Sequence, residues 1–533
     1  MMRFAALFDA IDRTTKTNEK LAALVQYFGG VSHADAAWAT YFLSGYKLKQ
    51  LVPTKLLRIW AAEEANIPSW LFEESYHSVG DLAETLTLIV PPGEMLDDLS
   101  LSQWVEQRLM PLRAMEEAVQ RDAVISIWKQ SPTQVRLVIL KLITGAFRVG
   151  VSKTIVTRAI ADHAGVPSDV ISHRLMGIWK PTASFFENLI SKEVQDTIAS
   201  QPFPFCLAHP IDHELGPESI GPAKDFAAEW KWDGIRGQVI RRNDQVFIWS
   251  RGEDLMENRW PEIESAAQRL PNGTVLDGEI LASLGENQVL PFANLQKRIG
   301  RKTVSNKLLK EVPVVFQAFD LLQDAGEDIR SRPYSERRQR LDRLLSTLDH
   351  PSLRRTQLLP GTSWDEWAKI RDRSREANAE GLMLKRLDAS YEVGRVRGVW
   401  WKWKVSPYTI DAVLIYAQKG HGKRSGLYTD YTFALWEGDT LVPFAKAYSG
   451  LDDSEIKEVD KFVRQNTRES FGPVRSVAPE LVMEIAFEGL QRSPRHKSGI
   501  ATRFPRIVRW RHDKKAEEAN TLAELMGLLP SIE

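Results

Sequence analysis

The stretch AEWKWDGIRGQVIRRNDQVFIWSRG, residues 228–252, sets the fold class of its surroundings. Its runs AEWKWDG, GQVIRR and QVFIWS are short and rich in β-branched and aromatic residues, and Asn243-Asp244 punctuates the last two as a turn. A mixed α/β or α+β domain therefore begins near residue 206. Upstream the texture is helical. Val135, Val138, Ile139, Leu142 and Ile143 recur at the spacing of a single apolar helix stripe. Ser32 stands as a cap before an Ala-rich run, Gly29-Gly30 closes the run before it, and Thr54 opens TKLLRIWAAEEA. Downstream of about residue 405, DAVLIYA, YTFALWEG, LVPFAKAYSG and ELVMEIAFEG predict strands and 454–466 predicts a helix. Five or so strands with one helix fit a small barrel of the oligonucleotide-binding (OB) type. The chain reads as three domains, 1–205, 206–405 and 406–533.

A length of 533 residues agrees with several domains. The composition, 43% hydrophobic and 26% charged with 17 Trp and 21 Phe, supplies enough apolar surface to exclude extensive disorder. No run approaches the roughly 20 apolar residues that span a bilayer, and MMRFAALFDAIDRTTK turns polar without a small-residue cleavage site. Both features predict a cytoplasmic chain without membrane association. Cys206 stands alone, which excludes an internal disulfide and a multi-cysteine zinc site. Lys+Arg and Asp+Glu both total 70, so a polyanionic partner would have to be met by local basic surfaces offset by acidic faces elsewhere.

Lys231-Trp232-Asp233-Gly234-Ile235-Arg236 lies between two strand-like runs. Alone it carries little, because average residue frequencies place a Lys-x-Asp-Gly in roughly a tenth of chains this long. An exposed turn is then the simpler reading. Its company changes that reading: Ser250-Arg251-Gly252, Leu276-Asp277-Gly278-Glu279, FQAFD at 316–320, EGLMLK at 380–385, WWKWK at 400–404 and Arg511-His512-Asp513-Lys514 follow in one order. The set resembles the ordered motifs of the covalent nucleotidyltransferase superfamily, which holds DNA ligases, RNA ligases and mRNA capping enzymes. Within it, RFPRIVRWRHDKKAEEANT at 503–521 is similar to the C-terminal motif of ATP-dependent DNA ligases. TGAFRVGVS at 144–152 resembles the helical DNA-binding domain of the archaeal, eukaryotic and larger bacterial members. The resemblance spans nearly the whole chain. It implies an all-α DNA-binding domain, an α+β adenylyltransferase domain of the ATP-grasp-like nucleotidyltransferase type and an all-β OB-fold barrel. It further implies a monomer that uses ATP and Mg²⁺ to seal nicks in duplex DNA during repair, replication or recombination, in the cytoplasm and, in a bacterium, at the nucleoid. Protein partners are not legible.

The residue chemistry runs parallel to the resemblance. An amine attacks phosphorus only when unprotonated, a state a lysine reaches near neutral pH when burial and nearby cations lower its pKa. Lys231 fits that role. Lys402 and Lys404, two apart and so on one strand face, would supply positive charge and bind the α-phosphate; a solvated edge flanked by tryptophans is the plainer alternative. Phosphoryl transfer needs phosphate charge neutralised, normally by a hard cation on carboxylates, and Glu279 and Glu380 are the candidates for Mg²⁺. The resemblance also makes Glu279 a ribose contact, so ribose, metal or both stay open. Arg236 and Arg251 suit bidentate phosphate or sugar oxygens. Phe319 suits stacking on adenine, its alternative being a core aromatic. Glu229 matches the family position that helps read adenine.

Arg511 and Lys514 fall on a different domain from Lys231. The resemblance implies that the barrel closes over the nucleotide, hinged near Val405-Ser406-Pro407, and that these two cations orient the β- and γ-phosphates for departure of pyrophosphate. KGHGKRSG at 419–426 is a basic loop in which Lys423 and Arg424 suit sugar–phosphate contacts, on equal terms with an ordinary hairpin loop. Arg148, with Gly145 and Gly150, suits close backbone approach to DNA phosphate, or marks a turn between helices. Arg395 and Arg397 are placed differently from the Arg-Gly that precedes this strand in archaeal relatives and receive no role. Three rivals fit less well. An NAD-dependent ligase would carry a four-cysteine zinc module. A capping enzyme or RNA ligase leaves the helical domain unexplained. A catalytically silent nick-binding scaffold has no need of Lys231, Glu279, Glu380, Lys402 and Lys404 together.

Overall fold

The computed structural model describes residues 1–94, 99–145, 147, 149–193, 199–212, 214–256, 258–285, 288–299, 301, 304–420 and 426–529. The chain divides into two compact units, Met1–Val156 together with Ser406–Glu533, and Thr157–Val405.

Residues 1–156 of the first unit are helical, and their helices begin and end where the sequence chemistry directs. The Ser32 hydroxyl accepts from the Asp35 N–H at the head of His33–Leu43, Thr17–Gly30 ends on its glycine pair, and Thr54–Glu64 starts behind Pro53. On Thr133–Thr144 the predicted stripe of Val135, Val138, Ile139, Leu142 and Ile143 is buried to 2% exposure or less. Gly145, with φ 68°, ends that helix in the left-handed conformation a glycine adopts without penalty.

Residues 406–533 form a curled seven-stranded sheet consistent with an OB-fold. Its organiser is the long strand Tyr408–Lys419. This strand pairs with Tyr428–Glu437, with Val482–Phe487 over its first half and with Val474–Val477 towards its end. Helix Asp453–Gln465, capped by the Asp452 carboxylate, sinks Val459 and Val463 into a core with Phe433, Phe444 and Ile485. Five or so strands were expected. Thr467–Phe471 and Val474–Val477 escape sequence reading because this hairpin is largely polar and mostly unburied, with no apolar alternation to mark it.

The second unit holds two sheets that face one another. The four-stranded sheet runs His209–Pro210, Trp400–Lys404, Ala379–Arg386, Phe226–Trp232. The six-stranded sheet runs Gln245–Ser250, Ile235–Arg242, Thr274–Ala282, Val314–Asp324, Glu327–Asp328, with Leu353–Arg355 also beside Val314–Asp324. Asn243 and Asp244, with φ 50° and 58°, make the tight hairpin turn the sequence predicts. Ile240, Val275, Leu322, Met383, Tyr391 and Trp400 fill the space between the sheets. The outer face of the larger sheet is covered by helices Pro261–Ala267 and Tyr334–Leu348, and that of the smaller by Trp364–Asp372. Among the described residues no helix is long and apolar enough to cross a membrane.

Candidate active site

Alternation along Phe226–Trp232 places Glu229 and Lys231 on the face turned toward the larger sheet. The neighbouring strand Ala379–Arg386 does not keep even register with it. Trp230 lies opposite Leu382 and Trp232 opposite Ala379, so Glu380 and Gly381 together face Lys231. Such a bulge re-aims a side chain, and here it turns Glu380 to the lysine. Gly381 sits at φ +140°, and a Cβ there would lie 2.3 Å from the Trp403 carbonyl oxygen, which leaves room for glycine alone. Lys231 Nζ donates to Glu380 Oε2, and Lys404 Nζ stands 3.2 Å from the same oxygen. Burial acts to raise the pKa of Glu380, but the charges and hydrogen bonds of the two lysines prevail and hold it below the usual carboxylate value. On the same face, Lys402 is lowered by its partial burial and by the charges of Arg395, Lys231 and Lys404, against the pull of Glu380. Cations outnumber carboxylates on this face, as a polyphosphate seat requires.

The larger sheet completes the site. Gly234 must pass close to it, because a Cβ would fall 2.4 Å from the Ile280 carbonyl oxygen and 2.8 Å from Glu279 Cγ. Arg236 pairs in register with Glu279. Its guanidinium grips the buried Asp277 at 3.2 and 2.7 Å and donates to the Cys206 carbonyl at 2.7 Å. It also lies 5.2 to 5.4 Å from the ring centroids of Trp400, Phe205 and Phe319. Burial disfavours this cation most strongly of any single influence, but Asp277, joined by Tyr391 and Cys206, raises the Arg236 pKa on balance. The carboxylate of Asp277 also accepts from the Tyr391 hydroxyl at 2.6 Å. Glu279 is pushed up to about 8 by burial, with Asp277 and Asp233 adding to it, against the pull of Lys231 and Arg236. Arg251 is exposed, and its N–H donates to the Arg236 carbonyl at 2.9 Å.

Glu229 is 1% exposed and both its oxygens are engaged. Oε1 accepts from the Tyr334 hydroxyl at 2.6 Å and from Arg338 at 3.2 Å, and Oε2 lies 2.8 Å from Lys385 Nζ. The ring of Phe319, half-buried on Val314–Asp324, meets Trp400 edge-on at 5.9 Å. Sequence reading singled out Glu229 and Phe319 but not Asp277, Tyr334, Arg338, Lys385 or Tyr391, which hold them or Arg236. Asp277 and Lys385 fall inside the ordered motifs without a role having been assigned to them, whereas Tyr334 and Arg338, on a helix, and Tyr391, in a loop, carry no motif signal.

Arg511 and Lys514 lie in the other unit. Both reach Asp411 Oδ2 at 2.7 Å, on the strand Tyr408–Lys419, and Arg511 also chelates Asp513 at 2.9 and 2.7 Å. The hydrogen bond from Arg511 draws the Asp513 pKa well below its usual value. Arg148, Lys423 and Arg424 lie outside the described residues. Among the described residues no three or more His, Cys, Asp or Glu side chains converge on one point. Glu279 and Glu380, which both feel the charge of Lys231, are hard oxygen donors of the kind Mg²⁺ takes in ones and twos, with phosphate and water oxygens completing its shell. The donor chemistry fits.

Comparison with known proteins shows the family. The family models described as the DNA ligase N terminus, the ATP dependent DNA ligase domain and the ATP dependent DNA ligase C terminal region match residues 1–161, 210–404 and 424–514. A probable DNA ligase of Koribacter versatilis is 33% identical over 98% of this chain and 95% of its own length. The chain belongs to the ATP-dependent DNA ligase family. A DNA ligase of Thermococcus fumicolans is 26% identical over 98% of each chain. The solved structure named Pmar-Lig_PreS3 shares the fold of the ligase, with a TM-score of 0.61 at 16% identity, covering 95% of this chain and 99% of that one. The ligase thus has the three-part architecture of the family, a helical N-terminal part, a nucleotidyltransferase part and a C-terminal β part. It is an enzyme that seals nicks in DNA with ATP through a lysyl-AMP intermediate.

Proposed function

We propose that Lys231 is the lysine that carries AMP, and that the facing sheets around it bind ATP. The observation that carries this reading is the bulge at Glu380-Gly381, which sets a carboxylate against Lys231 on a face that also bears Lys402 and Lys404. ATP enters as a substrate. The Lys231 amine attacks the α-phosphorus, the bond to the β-phosphate breaks and pyrophosphate leaves. The 5′-phosphate of the nick then displaces the lysine from AMP, and the 3′-hydroxyl displaces AMP to form the phosphodiester.

Lys402 and Lys404 bind the α-phosphate. Phe319 stacks on adenine, and Glu229 reads the base through the buried cluster it anchors. Arg236 and Arg251 serve sugar and phosphate oxygens, and Glu279 serves the ribose, the metal or both. Mg²⁺ on Glu279 and Glu380 would neutralise phosphate charge when bound. Arg511 and Lys514 orient the leaving pyrophosphate. Residues 1–205 bind duplex DNA, with Arg148 among their contacts; residues 206–405 transfer the adenylyl group; and residues 406–533 close over the nucleotide, with Lys423 and Arg424 on the DNA backbone. The enzyme acts as a monomer in the cytoplasm or at the nucleoid, in repair, replication or recombination.

Incubation with α-labelled ATP followed by a denaturing gel tests the core of this reading. The wild-type chain should retain label, whereas Lys231→Ala and Lys231→Arg should retain none, because alanine has no amine and a guanidinium stays protonated. Label or an added AMP mass on either variant assigns the nucleophile elsewhere.

A further inference from the structure

We propose that Lys385 is a positioning residue for the base of ATP: its ammonium, clamped to Glu229 and seated against the Phe319 ring, fixes that ring relative to the strand that carries Lys231. The proposal rests on the reading of Phe319 as the adenine-stacking ring.

Lys385 is 1% exposed. Its Nζ lies 2.8 Å from Glu229 Oε2 and donates to the Phe319 carbonyl at 2.9 Å. The same nitrogen is 4.2 Å from the centroid of the Phe319 ring, 4.6 Å from that of Trp400 and 5.0 Å from that of Tyr334. In register it stands between Ala227 and Trp400 in the smaller sheet, while Phe319 belongs to the larger one. Lys385 is therefore a polar tie between the two sheets, made through both backbone and ring of the proposed base-binding residue. Its other end is equally constrained. Glu229 precedes Lys231 by two residues, and its second oxygen is bound by Tyr334 and Arg338 of helix Tyr334–Leu348. A buried ammonium is tolerated only while its partners stay in place, so displacement of Phe319 is resisted by the charge pair behind it. A cation on one face of a phenyl ring also draws π density toward itself, leaving the opposite face a better stacking partner for an electron-rich purine.

Self-adenylation is measured against ATP and GTP concentration for the wild type, Lys385→Met, Lys385→Arg and Phe319→Ala. Lys385→Met keeps length without charge and should raise KM for ATP by about tenfold or more, with kcat changed less and the preference for ATP over GTP reduced. Lys385→Arg restores the charge on a wider group and should fall between the two. A role confined to stability would leave KM and base preference alone. A folded Lys385→Met with wild-type KM and wild-type preference, or with loss in kcat only, overturns the proposal. If thermal melts show Lys385→Met unfolded, Lys385→Arg carries the test, and a wild-type KM for it overturns the proposal as well. Phe319→Ala separates the two layers. Unchanged KM for ATP in that variant refutes the stacking assignment, whereas raised KM there with unchanged KM in Lys385→Met keeps the assignment and removes Lys385 from it.

Discussion

Arg511 and Lys514 share a single acceptor, Asp411 Oδ2, and the other oxygen of that buried carboxylate has no hydrogen-bond partner among the described residues. Asp411 and Asp513 together match the charge of these two cations, so an anion is met by exchanging a carboxylate for it. If that anion is the departing pyrophosphate, Arg511→Ala and Lys514→Ala should slow adenylation from ATP by about a hundredfold, in the range of other electrostatic stabilisers of a leaving charge. Sealing of a pre-adenylated nick releases no pyrophosphate and should fall far less. Equal losses in the two assays would contradict this assignment. The cations of the site were legible because motif order marks them, and Asp277 and Asp320 fall inside two of those motifs, but which cation each acid holds was not legible. Asp277, Asp320 and Asp411 grip Arg236, Arg337 and Arg511 across 41, 17 and 100 residues of chain, and nothing in the local sequence announces such pairings.

At the scale of the element, alternating apolar runs made the strands readable, but register was not. Even alternation through EGLMLK would turn Glu380 to the side of Leu382 and Leu384, which pack against Trp364 and Trp367. Only the extra residue opposite Lys231 reverses it, and a bulge is a property of two strands far apart in the chain. A different joint, an aromatic stack, ties the short helix Ser168–Arg174 to Phe203, whose backbone is held by Gln238 of the larger sheet. The His173 ring stacks on Phe203 at 5.1 Å, Arg330 covers the same phenyl ring at 4.0 Å, and His173 Nε2 is buried with no hydrogen-bond partner among the described residues. Burial, with the charges of Arg330, Arg242 and Arg174 and against that of Asp328, lowers the His173 pKa to about 4. The unfolded chain therefore takes up this proton near the usual value of about 6.5, and the folded one only near 4. Between those limits the unfolded state binds more protons, so stability falls as pH drops from about 6.5 to 4, by at most about 3 kcal/mol from this group. Denaturant melts over that window should show His173→Phe, which keeps the stack and cannot titrate, losing less than the wild type. Parallel losses in both would place the acid sensitivity elsewhere.

At the scale of the whole molecule, the three-part composition was readable from texture, but the packing of the linking segment was not. Phe203 is 2% exposed and exchanges two 2.8 Å hydrogen bonds with Gln238, and the Gln201 carbonyl accepts from Arg242 at 2.7 Å. A chain beginning at Thr157 keeps these contacts and should fold and form lysyl-AMP, whereas one beginning at Cys206 loses them and should melt lower. The longer of the two should still seal nicks poorly at moderate salt and recover at low salt, because phosphate contacts made by the missing helices act through counterion release. Nick affinity and sealing rate across a salt series, compared with the full chain, check this. Identical behaviour at every salt would assign the helical part to something other than duplex binding.

Cys206, whose carbonyl receives Arg236, is the sole cysteine of the chain and is fully buried. Burial, only partly countered by Arg236, pushes its thiol up to about 12. A sulfur that is neither ionised nor reachable does not react with iodoacetamide or maleimide, so the native enzyme should be silent to both. Any adduct must then form during excursions in which the floor beneath Arg236 opens, and the alkylation rate becomes a clock for that breathing. ATP should slow the clock, and a cysteine introduced on the surface could be labelled without background.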